Sequence, residues 1–196
     1  MNRLRKPCAE EIMSRLANAG DGFSYAEVGG TRALSADSRT APGASYDVDR
    51  YEFDLGRGRE RFERARAALI AWRHFEIPWV ELHGASMPAH TGQAVATLVS
   101  VAGLWFLNPC RVVYTEFSDE ASDQAAFAYG TLPGHVESGE ERFEISHDPA
   151  TGEVKYRILA FSRPGILLTK LGYPAVRAFQ RRFARASAEA LKRASA

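Results

Sequence analysis

Tyr173-Pro174-Ala175-Val176-Arg177-Ala178-Phe179-Gln180-Arg181-Arg182-Phe183-Ala184-Arg185-Ala186-Ser187-Ala188-Glu189-Ala190-Leu191-Lys192-Arg193 is the stretch on which the architecture turns. Val176, Phe179, Phe183, Ala186 or Ser187, and Ala190 or Leu191 recur at the three- and four-residue spacing that lines up one face of an α-helix. Pro174 falls in the first turn, where a missing N–H forfeits no intrahelical bond. Opposite the apolar stripe come Arg177, Arg181 and Arg185 at four-residue intervals, with Arg182, Lys192 and Arg193 beside them. A long helix with bulky residues along one side needs a surface on which to bury them.

The residues upstream supply that surface. Short runs of strand composition follow one another at 79–82, 93–101, 104–107, 111–117, 125–131, 140–147 and 153–161. Between them Ala102-Gly103, Asn108-Pro109, Ser118-Asp119, Pro133-Gly134 and Pro149-Ala150-Thr151-Gly152 read as turns. Connections this short favour antiparallel neighbours, because a parallel pair needs a crossover of about a dozen residues or more. Ahead of these runs Tyr51-Glu52-Phe53-Asp54-Leu55 alternates as a half-buried strand does, and Gly56-Arg57-Gly58 ends it. Phe62, Ala65, Leu69 and Trp72 then mark a helix of about four turns, with Arg59, Glu60, Glu63, Arg64 and Arg66 on its other side. The order predicts an α+β fold, a curved antiparallel sheet of about six or seven strands wrapped around a long C-terminal helix. Space left between sheet and helix is the default pocket.

Nearer the N-terminus Ile12, Met13, Leu16 and Ala19 have helical spacing, closed by Gly20-Asp21-Gly22. Residues 29–45, rich in Gly, Ser, Thr, Ala and Pro, read as an exposed loop. The chain is therefore expected to comprise an N-terminal helix and loop extension, residues 1–45, and an α+β body, residues 46–196, in one compact unit.

Composition narrows the functional classes. With 45% hydrophobic and 25% charged residues the chain resembles ordinary globular proteins and departs from disordered ones. Lys and Arg number 25 against 24 Asp and Glu, so a net charge of +1 creates no general field toward nucleic acid, and no nucleic-acid partner is expected. Cys8 and Cys110 are too few and too far apart for a disulfide framework or zinc knuckle, which suits a reducing compartment and predicts a cytoplasmic location. Arg3, Arg5 and Lys6 lead into Ala9-Glu10-Glu11 instead of an apolar stretch, so no secretory signal is expected. The most apolar run, 94–107, falls short of the roughly 20 residues that span a bilayer and is interrupted by Thr97, Ser100 and Gly103, so no transmembrane segment is expected either.

Three stretches carry a resemblance. Phe23-Ser24-Tyr25-Ala26-Glu27-Val28-Gly29, Leu55-Gly56-Arg57-Gly58 and above all Phe127-Ala128-Tyr129-Gly130-Thr131-Leu132-Pro133-Gly134-His135-Val136-Glu137-Ser138-Gly139-Glu140-Glu141-Arg142-Phe143 are similar to an uncharacterised family, the domain of unknown function nineteen-ninety. Ala160-Phe161-Ser162-Arg163-Pro164 and the closing helix extend the match over nearly the whole chain. That family in turn resembles the helix-grip group, which includes lipid-transfer domains, plant allergens and polyketide cyclases. The resemblance implies the same fold and, at one further remove, a hydrophobic ligand in a cavity under the long helix. It implies no reaction.

The segment from Tyr129 to Glu141 gathers Tyr, His and Glu side chains around Gly130, Gly134 and Gly139. Strand alternation puts Glu141, Phe143 and Ile145 on one face; if that face is the concave one, Glu141 is a carboxylate among apolar neighbours, with a raised pKa unless a cation compensates. Arg157, which shares its face with Leu159 and Phe161, is the candidate cation. In the functional reading Glu141 and Arg157, with Tyr129 and His135 near the mouth, orient a polar head group. In the plainer one Glu141 and Arg157 form a structural pair at the sheet edge and the glycines shape a hairpin. Ser162 and Arg163 either turn toward the pocket entrance at a bulge or simply leave the strand, with Arg163 in solvent. Trp72, His74, Trp79 and Trp105 either stack on a ligand or pack the core, and Trp72 and Trp105 are assigned to the core.

Neither His83 with His90 nor His135 with Glu137 has a recognised zinc spacing, and the later Pro-Cys-x-x-Cys of a zinc deaminase is missing. No Gly-x-Ser-x-Gly elbow occurs, and Gly56-Arg57-Gly58 lacks the third glycine and parallel βαβ setting of a dinucleotide loop. No metal or cofactor is expected. Three functions stay open: binding a small hydrophobic or amphipathic molecule between sheet and helix; a cyclase or hydrolase using Glu141 or His135 as acid or base, with Tyr129 and Arg157 stabilising charge; and an interaction module that meets a protein or membrane surface through the arginine face. Ligand identity and oligomeric state are not encoded in any motif.

Overall fold

The strand runs pair as their short connections require. In the computed structural model, which describes all residues except 1, 4, 35–42, 44, 102, 118, 120 and 166–172, the chain forms β1 (Asn2–Arg3), α1 (Ala9–Ala17), α2 (Gly30–Ala33), β2 (Asp47–Arg57), α3 (Arg59–Ile70), β3 (Val80–His83), β4 (Ala94–Val101), β5 (Leu104–Glu116), β6 (Gln124–Thr131), β7 (Glu137–His147), β8 (Glu153–Pro164) and α4 (Tyr173–Ala194). The sheet runs β2-β8-β7-β6-β5-β4-β3 with every neighbour antiparallel, while β1 pairs with β5 beside this path. It wraps around α4, as the sequence predicts. Of the expected turn residues Ala102 and Ser118 lie outside the described residues, as does much of the 29–45 loop.

Asn108-Pro109 is not a turn. β5 runs through it unbroken, so the expected runs 104–107 and 111–117 are one strand. The Pro109 carbonyl accepts from the Leu132 N–H at 3.0 Å, just beyond the end of β6. In a strand a residue's nitrogen and carbonyl point to the same side, so the proline ring nitrogen faces the place where the neighbouring strand has ended and no ladder bond is lost. Register shifts between Val112 and Tyr114 in β5 and between Asp54 and Gly56 in β2 add the bends that curl a sheet.

Alternation then separates two apolar layers. On the concave face Val112, Phe127, Phe143, Ile145, Tyr156 and Ile158 join Phe62 and Leu69 of α3 and Ala184, Ala188 and Leu191 of α4 in one core. A left-handed turn at Trp72, φ 59°, drops the short 3-10 segment Arg73–Phe75 into this core. His74 is fully buried there, 4.7 Å from the Phe143 ring and stacked on Trp72 at 6.1 Å, with no hydrogen-bond partner among the described residues on either ring nitrogen. It packs in the core with Trp72 and does not face a ligand. Trp105 is half-buried on the outer face, with the Lys6 ammonium 5.2 Å from its ring.

On the convex face Ala96, Leu98 and Leu107 receive Ile12 and Leu16 of α1, and Phe161 receives Tyr25, Leu34 and Tyr46. The 29–45 stretch is therefore not simply an exposed loop, because Thr31 and Leu34 are buried. Glu140 holds it down. Its carboxylate, 2% exposed, accepts from the Tyr25 hydroxyl at 2.7 Å, the Gly29 N–H at 2.7 Å, the Thr31 N–H at 3.0 Å and the Thr31 hydroxyl. A Cβ on Gly130 would collide with the Tyr25 ring, and one on Gly139 with the Phe161 carbonyl, so both glycines serve close approach.

The end of α4 is fixed from α3. Arg61 donates to the Lys192 carbonyl at 3.2 Å and Arg64 to the Ser195 carbonyl at 3.0 Å, cations at the negative end of a helix where carbonyls lack intrahelical partners. Among the described residues no helix is long and apolar enough to cross a membrane.

Candidate functional site

Residue size along α4 decides where the space lies. Its C-terminal half presents Ala184, Ser187 and Ala188, small enough for the helix to settle on the sheet, and the Tyr156 hydroxyl and Ser187 Oγ meet at 2.8 Å. Its N-terminal half presents Val176, Phe179 and Phe183, which hold the backbone away. Phe179 meets Trp79 edge-on at 5.0 Å and Phe183 lies 5.5 Å from Phe75. Beneath them remains a cavity of about 340 Å³, with Phe75, Val99, Phe106, Phe179 and Phe183 in its walls. The volume lies within the range of small-molecule sites.

Polar groups enter this apolar space mainly from β2, β5, β6 and β7. Tyr129 and Glu141 stand directly opposite each other in the β6–β7 ladder, and the tyrosine hydroxyl donates to Glu141 Oε2 at 2.7 Å. Burial pushes the Glu141 carboxyl up to about 7; the Tyr129 bond pulls the other way, while the charges of Glu137 and Asp49 reinforce the rise. No cation is among these influences, and among the described residues Glu141 forms no ion pair. Burial, and next the Glu141 charge, lift the Tyr129 phenol well above its ordinary value, so it remains a donor.

The other carboxylates of the cavity are better supplied. Glu137 accepts from Gln180 Nε2 at 2.8 Å and from Ser162 Oγ at 3.5 Å, and burial raises its pKa. Asp49 is gripped by both terminal nitrogens of Arg177, one at 2.5 Å. His135 Nδ1 lies 2.9 Å from the Glu137 N and 3.0 Å from the Glu137 carbonyl oxygen, and burial lowers its pKa to about 4. Asn108 is 8% exposed on the cavity wall, and its Oδ1 has no hydrogen-bond partner among the described residues.

Of the residues singled out in the sequence, Tyr129, His135, Glu141 and Ser162 line this cavity. Arg157 does not. The β7–β8 register sets Ala160 opposite Glu141 and Arg157 opposite Glu144; directly paired residues share a face, and Arg157, three positions from Ala160, lies on the other one. There it donates to Glu52 at 2.7 Å and to Glu144 at 3.2 Å, so the expected pairing with Glu141 is replaced by a convex-face network. Arg163 is also outside the cavity: β8 continues through it to Pro164, and its guanidinium sits 4.9 Å from the Tyr46 ring. Arg177 departs from the expected solvent stripe by turning in to Asp49, whereas Arg181 and Arg185 stay exposed.

Sequence reasoning missed Asn108, Asp49 and Gln180, and weighed Glu137 only as a metal ligand beside His135. Asn108 was hidden by the turn-like Asn-Pro pair. Asp49 carried a usable signal, since the alternation of Tyr51, Phe53 and Leu55 extends back onto it.

A family model described as "Domain of unknown function (DUF1990)" matches residues 24–190. The "UPF0548 protein" of Dictyostelium discoideum is 36% identical over 191 residues, covering 91% of this chain and 88% of that one. Among solved structures, a hypothetical protein from Helicobacter pylori aligns with a TM-score of 0.53 at 12% identity, over 79% of this chain and 91% of that chain. Ara h 8.0201 aligns with a TM-score of 0.50 at 11% identity, over 76% of this chain and 97% of that chain. At such identities the likeness establishes the fold, a sheet gripping a long C-terminal helix.

Proposed function

The chain belongs to the DUF1990 family, whose description names no activity, and we propose that it binds a small hydrophobic or amphipathic molecule in the cavity between the sheet and α4. The observation that carries this reading is the cavity of about 340 Å³ under Phe179 and Phe183, walled by aromatic and aliphatic side chains with its polar groups gathered at a few positions. Such a space suits a ligand with an apolar body and a polar end. Val99, 5% exposed and facing the cavity, is the place to close it. With Val99→Trp, binding of the neutral fluorophore Nile red is expected to fall at least about tenfold while the unfolding midpoint holds or rises. Equal binding by both proteins would remove the reading.

One observation favours a second reading, an acid–base enzyme. A carboxyl titrating at about 7, hydrogen-bonded to a tyrosine at 2.7 Å, offers both protonation states near neutral pH. The support is narrower than the sequence suggested, because Arg157 lies on the opposite face and His135 is uncharged above about 4. An activity dependent on this pair would show a pH profile turning near 7 that Glu141→Gln abolishes. A profile unchanged in that variant would exclude Glu141 as the titrating group.

A further inference from the structure

The balance of charge and hydrogen bonding on the cavity wall is uneven. Four acidic residues line it; Glu140 turns its carboxylate to the convex face, which leaves those of Asp49, Glu137 and Glu141. The donors that reach them are Arg177 and Tyr51 at Asp49, Gln180 and Ser162 at Glu137, and Tyr129 at Glu141. Asp49 has a full cation and Glu137 two neutral donors, whereas Glu141 has one neutral donor and no ion pair among the described residues. A buried acceptor short of donors is destabilising, and a charged one more so. The Glu141 carboxylate, with one neutral donor in an apolar cavity, therefore suits a ligand that donates and carries positive charge.

We propose that the ligand is an amphipathic amine, its protonated nitrogen paired with the Glu141 carboxylate and its apolar body against Phe75, Phe179 and Phe183. This deepens the cavity-binding reading above and rests on it. The same wall disfavours fatty acids and other anions, whose carboxylate would stand among Glu141, Glu137 and Asp49 with Arg177 already engaged. The high titration point of the Glu141 carboxyl fits a site waiting for a cation, since an ammonium placed beside it would hold it ionised.

The test compares three ligands of one shape, 3-phenylpropylamine, 3-phenylpropan-1-ol and 3-phenylpropionate, by isothermal titration calorimetry on the full chain at pH 8, beside Nile red binding. The amine is expected to bind at least about tenfold more tightly than the alcohol, with the carboxylate weakest, as a charge-assisted hydrogen bond in an apolar site requires. In Glu141→Gln, checked for folding by its thermal melt, amine and alcohol should bind alike. If the native chain binds Nile red and the alcohol but shows no preference for the amine, or prefers the carboxylate, this inference falls and the cavity reading stands. A preference that persists in Glu141→Gln also overturns it. If neither Nile red nor any of the three ligands binds, both fall together.

Discussion

His74→Phe should make the protein markedly less sensitive to acid. The imidazole is fully buried, both nitrogens lack partners among the described residues, and around it stand the rings of Trp72, Phe75, Phe127, Phe143 and Tyr156. Burial alone drives its pKa from 6.5 to about 3. For a base whose folded pKa is depressed, stability is fully present above the unfolded value and is lost as pH falls, because only the unfolded chain takes up the proton. Between pH 8 and pH 5 that loss amounts to about 2 kcal/mol, and it grows further toward pH 3. Phenylalanine cannot be protonated, so the variant escapes this loss. Its larger ring adds a packing cost of about 1–3 kcal/mol, but that cost does not depend on pH. His135 contributes acid sensitivity of the same sign in both proteins and cancels from the difference. Urea unfolding of both proteins at pH 8, 6.5 and 5 measures the quantity directly. The stability difference should shift by about 2 kcal/mol in favour of the variant between the extremes. Stability curves that stay parallel across this range would refute the account of a partnerless neutral imidazole in the core.

Glu140→Gln turns an amide NH2 toward either the Gly29 or the Thr31 N–H and should cost about 2–3 kcal/mol, read as a lowered urea midpoint with faster hydrogen exchange at those two amides; unchanged protection at both would show that Glu140 does not anchor the segment. Tyr156→Phe removes the hydroxyl that meets Ser187 Oγ at 2.8 Å and should cost about 1 kcal/mol, while adding Ser187→Ala should cost little more because the serine has already lost its partner. Fully additive losses in thermal melts of the two single variants and the double variant would mean the hydroxyls are not coupled.

How legible this was depended on whether the deciding interaction was local. The α4 stripe, the alternation of β2 and the helical face of α3 are periodic patterns over neighbouring residues, and each reappears in the structure. Parity along a single strand was also legible, so Glu141, Phe143 and Ile145 share the concave face as expected. Register between strands was not. Arg157 was paired with Glu141 because nothing in one strand's pattern says which residue of the next lies opposite, and the ladder gives that place to Ala160. The turn expected at Asn108-Pro109 failed for a related reason: whether a proline breaks a strand depends on whether its ring nitrogen faces a partner, and β6 stops short of it. The docking of Tyr25 and Thr31 on Glu140 spans more than a hundred positions and left only a faint mark, the glycines at 130 and 139 that make room for it.

The adjacent pair Glu140-Glu141 shows why one face of the sheet holds the fold together while the other offers a site. Both carboxylates come from β7, and each accepts from a tyrosine hydroxyl at 2.7 Å, Tyr25 on the convex side and Tyr129 on the concave side. The side chains are the same, so their different fates must come from what else arrives. Glu140 receives two backbone N–H groups and the Thr31 hydroxyl, because the N-terminal segment folds over it and closes that face. Its acceptor capacity is used within the chain. Glu141 lies where Phe179 and Phe183 keep α4 from closing down, and among the described residues no backbone donor reaches it. A carboxylate beneath a tightly packed helix would be a costly defect, whereas the same group beside a cavity can be satisfied by whatever enters. Size along α4 and donor count on β7 thus act together: the bulky residues create the space, and the incompletely paired carboxylate gives that space a chemical preference.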